Sequence, residues 1–427
     1  MESEKSMSEK VDRVITHPVL GSIIFLVLLT FIFNAIFSWA QYPMGLIEDL
    51  FSQLGNFPTN TLPPSKIKGL LVDGMIGGVG NIVVFLPQII LLVFFISILE
   101  DSGYMSRMSF MMDGLMRRFG LSGKSVLPLL SGFACAIPAV MAARTIERWR
   151  DRLLIIMLIP LMSCSARLPV YTLVISALIP QKTFWGFLEL QGMILLGVYF
   201  LGFFTALIVA MVVKFVAGTS RLAQYLFELP PYRFPIFRSV GWRVYDAGKK
   251  FLLNAGSIIL AMTVILWFLA SYPDPDPGEN LSSKDAVSQS YAGQLGHLIE
   301  PVISPLGFDW KIGVGLISSF AAREVIISTF STIYNIEAGD EAPVVSLAQA
   351  MKNDRRPDGR PLFTPLVALS LLIFFVYAAQ CMSTFAIIRR ETQSWRWPLI
   401  MILYLNLLAY FASLIVYQGG KLIGFEG

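Results

Sequence analysis

Apolar residues in this chain gather into long uninterrupted runs, where an amphipathic helix would show a narrow spaced stripe. Seven such runs stand out, at 18–40, 82–100, 153–179, 190–213, 251–271, 363–388 and 397–417. A lipid core roughly 30 Å thick takes about 20 apolar residues per helical crossing, so each run predicts a transmembrane helix. Two further apolar stretches, 125–143 and 311–334, are interrupted by glycine, proline or charge and do not read as plain crossings. The first fourteen residues are polar, and the run behind them is longer than the apolar region of a signal peptide, about 7–15 residues. An uncleaved first helix is expected.

Loop charge orients these elements, because cytoplasmic loops carry excess Lys and Arg. Lys5, Lys10 and Arg13 put the N-terminal tail inside, and Arg107, Arg117, Arg118 and Lys124 do the same for 101–124. Segment 41–80, with two lysines against three acids, reads as outside. Arg144, Arg148, Arg150 and Arg152 are again inside, so 125–143 enters and leaves on one face. It is therefore expected to be a re-entrant hairpin, with Gly132 to Pro138 opposing a continuous helix. Segment 214–250 has seven bases against two acids and is inside, while 272–310 has one lysine against six acids and is outside. With Arg389, Arg390 and Arg396 inside, 311–334 becomes a second re-entrant hairpin, entering from the outside. The C-terminus then falls outside.

The hairpins resemble each other: Ser131-Gly132-Phe133-Ala134 aligns with Ser318-Ser319-Phe320-Ala321, which sets Cys135 opposite Ala322. Downstream of each, a long apolar helix is interrupted by a polar cluster containing cysteine. These are Met162-Ser163-Cys164-Ser165-Ala166-Arg167 and Gln380-Cys381-Met382-Ser383-Thr384. Three crossings per half reverse the orientation, so the expected fold is an all-α polytopic membrane protein of two inverted repeats with re-entrant hairpins and broken helices. Secondary transporters of this kind bind substrate at the midplane, where the broken helices meet. The expected divisions are a cytosolic tail (1–14), a first transmembrane helix with an external segment (15–81), a first repeat (82–217), a cytosolic connector (218–250), a second repeat (251–417) and a C-terminal tail (418–427).

Composition agrees and narrows the chemistry. The chain is 55% hydrophobic and 15% charged, against the quarter or so of charged residues typical of soluble domains. No soluble basic face is available for nucleic acid. Three cysteines do not make a disulfide framework, and the two histidines, His17 and His297, lie outside the apolar runs. Gly123-Lys124-Ser125 imitates the end of a phosphate-binding loop, but Arg118 stands where that motif needs its first glycine, so no nucleotide site is expected in this chain. The membrane runs hold almost no general base, which disfavours an enzyme.

All three cysteines fall at polar or interrupted points of membrane segments. Soft thiolates suit Fe, Zn and Cu(I), and Met162 and Met382 add thioethers beside two of them. The competing reading is that buried cysteines are small hydrophobes. Arg167, Arg323 and Glu324 are costly at membrane depth and need partners or water. Two readings follow, structural pairs and gating groups. Pro160 and Pro169 leave backbone carbonyls without donors, and such carbonyls can face a cation.

Several stretches together resemble the membrane domain of the FeoB family of bacterial ferrous iron transporters. They include Asp73–Asn81, Phe85-Leu86-Pro87-Gln88, Leu99–Met105, Gly123-Lys124-Ser125 with Pro128–Phe133, and Cys135-Ala136-Ile137-Pro138-Ala139. Pro160–Tyr171, Glu228–Arg233, Gln380–Thr384 and Arg389-Arg390-Glu391-Thr392 complete the set, over about residues 10–417. The resemblance implies gate hairpins like those of concentrative nucleoside transporters, which makes the two repeats gate repeats. It also implies Fe2+ as transported ion, import across the bacterial inner membrane, and Cys135, Cys164 and Cys381 as pathway ligands. Ser131, Ser163, Ser165, Gln380 and Met382 are candidate additional ligands, with Glu100 and Asp101 attracting cations near the cytoplasmic exit. FeoB proteins usually begin with a GTPase domain, absent from this sequence, so a fused or separate GTPase and small cytosolic accessory proteins are the expected partners, with homo-oligomers open. A nucleoside or small organic solute transporter of the same architecture is the alternative.

Overall fold

The computed structural model describes residues 12–17, 19–61, 66–179, 183–184, 188–216, 232–273, 288–320, 323, 325–334, 343–356, 359–379 and 381–424. It is helical almost throughout, apart from a two-rung antiparallel pairing of Thr183-Phe184 with Leu188-Glu189 and one isolated bridge. Among the described residues, six helices are long and apolar enough to cross a membrane: Leu20–Gly55, Leu70–Asp101, Trp149–Leu178, Leu190–Val216, Pro365–Thr392 and Arg396–Leu422. The seventh expected span, 251–271, contains only a shorter apolar helix at Ile259–Ser271. It continues an unbroken helical stretch through π-helical Phe251–Gly256. The protein is an all-α polytopic membrane protein.

The chain divides into two compact units, 1–159 with 205–260, and 160–204 with 261–427. In the first, α1 (Leu20–Thr61) runs 42 residues, well past the apolar run that predicts it. Apolar spacing continues through Ile47, Phe51 and Leu54, and Phe51 packs 3.1 Å from where a Cβ on Gly80 would stand. A stretch of α and π turns over 66–84 leads to α2 (Leu86–Asp101), followed by α3 (Tyr104–Arg118). The first hairpin is α4 (Val126–Ala134) packed against α5 (Ala136–Ala142), after which α6 (Trp149–Leu158) begins the first broken helix. That helix resumes as α7 (Leu168–Leu178), which belongs to the second unit, and α8 (Leu190–Val216) leads from the second unit back into the first, where α9 (Phe237–Lys250) follows. Asp12 accepts from Arg107 Nε at 2.5 Å and from the Tyr232 hydroxyl at 2.8 Å, tying the N-terminal segment to α3 and to the residues that lead into the helix at 237–250. The Arg107 hydrogen bond holds the Asp12 carboxyl below the usual carboxylate range, and burial with the Asp12 hydrogen bond pushes the Tyr232 phenol up to about 12.

The second half of the chain repeats the order of elements. Helix α10 (Ser257–Ser271) enters it, and α11 (Tyr291–Ile303) precedes a hairpin of α12 (Trp310–Ser318) and α13 (Val325–Ile333). Asp309 starts α12 by accepting from the Ile312 N–H at 3.0 Å. Burial raises its carboxyl above the ordinary value. Gly315 lets α13 close in, since a Cβ there would stand 2.9 Å from Ile326 and Phe330. The Thr329 hydroxyl donates to Ser318 Oγ across the hairpin at 2.8 Å. Then come α14 (Pro343–Asn353), the second broken helix as α15 (Pro365–Tyr377) and α16 (Met382–Thr392), and α17 (Arg396–Leu422).

Burial separates helices that face lipid from those that do not. Leu366, Val367, Leu371, Leu372, Phe375 and Val376 of α15 are all buried, as expected of a helix apolar all round at the centre of a bundle. In α17, Met401, Leu405, Ala409 and Ser413 are fully buried, while Leu399, Leu403, Leu407, Phe411 and Ile415 are exposed. Both faces are apolar, one toward protein and one toward acyl chains. A polar bond joins the two helices where they touch, Ser413 donating to the Ser370 carbonyl at 2.9 Å, and the Ser370 hydroxyl in turn donates to the Leu306 carbonyl at 3.0 Å, in the turn after α11.

Candidate functional site

Each cysteine stands at an interruption between helical segments, where the backbone is extended. Cys135 (φ −156°, ψ 134°) separates α4 from α5, Cys164 (φ −78°, ψ 164°) lies within the first broken helix, and Cys381 (φ −161°, ψ 102°) precedes α16. None forms a disulfide, and all three are half-buried. Among the described residues, no three of His, Cys, Asp and Glu stand together as a preformed metal cluster.

At the hairpin break, the Cys135 N–H donates to the Ser131 carbonyl at 3.0 Å, closing the last turn of α4. The thiol side packs on Ile32, Ile36, Leu92 and Ala134. Beside it lies an apolar cavity of about 60 Å³, whose lining includes Ile32, Leu92, Tyr104, Ser109, Ser131 and Ala134. Ser131 is thus placed one turn from Cys135, at the edge of a space large enough for water.

The first broken helix passes through 3₁₀ turns at Ile159–Leu161 and Ser165–Arg167, with Met162, Ser163 and Cys164 between them. Unwinding there removes the helical donors of the Pro160 and Met162 carbonyls. Arg167 replaces them: its Nη2 donates to the Pro160 carbonyl at 2.8 Å and its Nη1 to the Met162 carbonyl at 3.1 Å. Arg167 is fully buried, and Ser163 Oγ lies 3.5 Å from its Nη1 and 3.4 Å from the Tyr171 hydroxyl. These two carbonyls are therefore occupied by the guanidinium. Arg167 is the internal strut of its own break. Helix α8 seats against it through Gly202, where a Cβ would fall 2.7 Å from the Leu161 carbonyl and 3.2 Å from Ser163 Oγ.

The second break is held from outside. The Ala378 carbonyl, stripped of its helical donor, accepts from Arg323 Nη2 at 3.4 Å, reaching over from the loop between α12 and α13. The Ala379 N–H donates to Asn406 Oδ1 of α17 at 3.3 Å. Gly202 also lies 3.7 Å (Cβ position) from Val376, so one glycine touches the first break and the end of α15 before the second. Met382 is half-buried beside Cys381, Met162 is buried beside Ser163, and Ser165 is half-buried. Gln380 and Glu324, like Ala321 and Ala322, lie outside the described residues. Near the breaks, Arg167 Nε and Ser383 Oγ are buried and have no hydrogen-bond partner among the described residues. Sequence reading quoted Ser383 in its cluster without choosing it, and missed Gly202 and Asn406 entirely. At the far end of α2, Glu100 and Asp101 both pair with Arg243 at 3.2 Å, so one of the two charges there is compensated.

Comparison with known proteins places this arrangement. A family model described as "Gate: Nucleoside recognition" matches residues 82–178 and again 252–395, once for each hairpin and its broken helix. A second, "Ferrous iron transport protein B C terminus", matches 195–246. The Fe(2+) transporter FeoB of Leptospira biflexa is 45% identical over 98% of this chain and 61% of its own length. That of Leptospira interrogans is 44% identical over 96% of the chain and 59% of its own length. An Fe(2+) transport protein A/Fe(2+) transporter FeoB fusion protein of Porphyromonas gingivalis is 38% identical over 98% and 52%. The chain thus spans about three fifths of the length of the first two. No solved structure matches. The chain belongs to the Gate family, in the branch formed by the membrane part of FeoB.

Proposed function

We propose that this chain is the conducting part of a ferrous iron importer, passing Fe2+ through a pathway that uses Cys135, Cys164 and Cys381 in turn. The observation that carries the reading is that every cysteine of the chain stands at an extended break between helices. Such points expose backbone and side-chain ligands without unsatisfied lipid-facing groups. A borderline-soft divalent ion shedding its waters gains most from sulfur, and Cys381 heads the eleven-residue α16, where the helix dipole favours negative charge. Ser131, Ser163, Ser165, Gln380 and Met382 supply further ligands. The Ser383 hydroxyl, unengaged among the described residues, joins them two residues from Cys381. Arg167, Arg323 and Glu324 set the shape of the breaks, and Glu100 and Asp101 draw cations toward the cytoplasmic exit.

Iron is cargo here, and no resident cofactor or nucleotide site belongs to the reading. Gating falls to a GTPase domain, fused or separate, with small cytosolic proteins as accessories; the Porphyromonas gingivalis relative is by name a fusion with a transport protein A. The N-terminus lies in the cytosol of a cell whose inner membrane holds the protein. The test is uptake of radiolabelled Fe2+ into proteoliposomes, with and without an added GTPase domain. Cys164→Ala and Cys381→Ala are each expected to abolish uptake at unchanged folding. Normal uptake by the triple Cys→Ser variant, or competition by nucleosides, overturns the reading.

A further inference from the structure

Where α12 begins and α13 ends, Asp354, Lys311 and Tyr334 meet in a group that the iron pathway does not use. Asp354, just past the end of α14, is buried, and its carboxylate pairs with the Lys311 ammonium of α12. It also accepts at 2.7 Å from the hydroxyl of Tyr334, the residue after α13. Burial and the facing carboxylate push the Tyr334 phenol above its ordinary value, so it remains a donor. Lys311 leaves only 12% of its side chain exposed, which separates this pair from solvated surface pairs of little worth. Asp309 is a second acceptor for Lys311 at 3.7 Å, but it is already engaged by the Ile312 N–H.

The backbone that carries Asp354 is itself fixed. The Leu362 N–H donates to the Asp354 carbonyl at 3.0 Å, and the Asp354 N–H to the Met351 carbonyl at 3.3 Å. Leu347, Met351, Leu362 and Phe363 are buried around it, and the Phe363 ring meets Phe330 of α13 edge to face at 6.3 Å. Two residues further on, Arg356 Nη2 donates to the Gly307 carbonyl at 2.7 Å, just before α12. One anchored segment thus grips both feet of the second hairpin.

The hairpin carries this grip to its tip. Its limbs are locked to each other midway, by the close approach at Gly315 and by the bond from Thr329 to Ser318, so they move as one piece. Each limb is nine residues, about 13 Å, and between their far ends Arg323 supports the Ala378 carbonyl. A rod held at its feet and locked midway cannot shift at its tip without straining the hold. We propose that Asp354 is a positioning residue of the second gate hairpin: by clasping Lys311 and Tyr334 it keeps Arg323 against the second break. The proposal rests on the reading of that break as part of the iron pathway, and names what sets its shape from a distance.

The test is the rate at which a maleimide labels Cys381 and Cys164 in the full chain in detergent, mapped by mass spectrometry. Asp354→Asn removes the charge of the clasp and leaves Lys311 to Asp309. It is expected to speed labelling of Cys381 roughly threefold, with Cys164 unchanged. Tyr334→Phe deletes one hydroxyl and keeps the ion pair. It should move Cys381 in the same direction by less, and it decides the matter if Asp354→Asn does not fold. In an Arg323→Leu background neither substitution should add anything, because both act through that arginine, whereas a general loosening of the fold would add. An unchanged Cys381 rate in both variants, an equal rise at Cys164, or effects additive with Arg323→Leu overturns the proposal. Labelling needs no iron, so failure of the clasp and failure of the iron reading are seen separately.

Discussion

The two broken helices solve one problem in different ways. Each interrupts an apolar helix at a cysteine and so strips backbone carbonyls of their donors. In the first, the replacement donor is Arg167, three residues beyond Cys164 on the same strand of chain. In the second, support comes from Arg323 on the hairpin and Asn406 on α17, 55 residues before and 27 residues after the atoms they bind. A break that carries its own strut keeps its shape whatever its neighbours do. A break propped by neighbours changes shape when they move. On the pathway proposed above, the second is thus the natural place for gating and the first a fixed ligand station.

The largest test of that contrast is Arg167→Leu. It leaves the buried Pro160 and Met162 carbonyls without donors, at an expected cost of about 3 kcal/mol. A fall in melting temperature in detergent, with uptake lost in the same variant, is the predicted result. Gly202→Ala comes next. Its methyl group would press on the Leu161 carbonyl, a backbone atom that cannot swing aside, costing about 2 kcal/mol. Because Gly202 touches the first break and the end of α15, labelling of both Cys164 and Cys381 by a maleimide should rise. A rise at Cys164 alone would mean that the second break is not the one that yields to its neighbours.

How much of this was legible beforehand differs between the breaks in the same way. The positions of all three interruptions follow from local chemistry: Gly132 and Pro138 around Cys135, Pro160 and Pro169 around Cys164, and the polar run at Cys381. The hairpins followed from loop charge. What held the breaks did not follow. A buried arginine reads equally well as a gating charge or a strut, and only the carbonyls within 3.1 Å of Arg167 decide that. Gly202 and Asn406 sit inside uniformly apolar helices, where one small or polar residue gives no hint of the partner it will meet. The same is true of α1, whose extension to Thr61 rests on packing such as Phe51 against Gly80. Local interruptions are written in sequence; the tertiary groups that repair them are not.

Arg323→Leu sharpens the contrast further, because its bond to the Ala378 carbonyl is long, at 3.4 Å. Stability should fall by only about 1 kcal/mol. Labelling of Cys381 should nonetheless quicken several-fold while that of Cys164 stays unchanged, as mapped by mass spectrometry of the labelled protein.

Asn406→Leu is the smallest expected effect. It removes one interhelical hydrogen bond, worth on average about 0.6 kcal/mol inside a membrane. Its value lies in combination with Arg323→Leu. The Ala378 carbonyl and the Ala379 N–H belong to adjacent residues, so the two props hold one short piece of backbone. Once either is gone, that piece is already loose and the second loss should add less than its single-variant effect. A double-mutant cycle on the Cys381 labelling rate should therefore show coupling, whereas Asn406→Leu with Arg167→Leu should show none. Additive behaviour in the first pair would mean that the hairpin and α17 act on Cys381 separately, and that the second break has no single shape for them to hold.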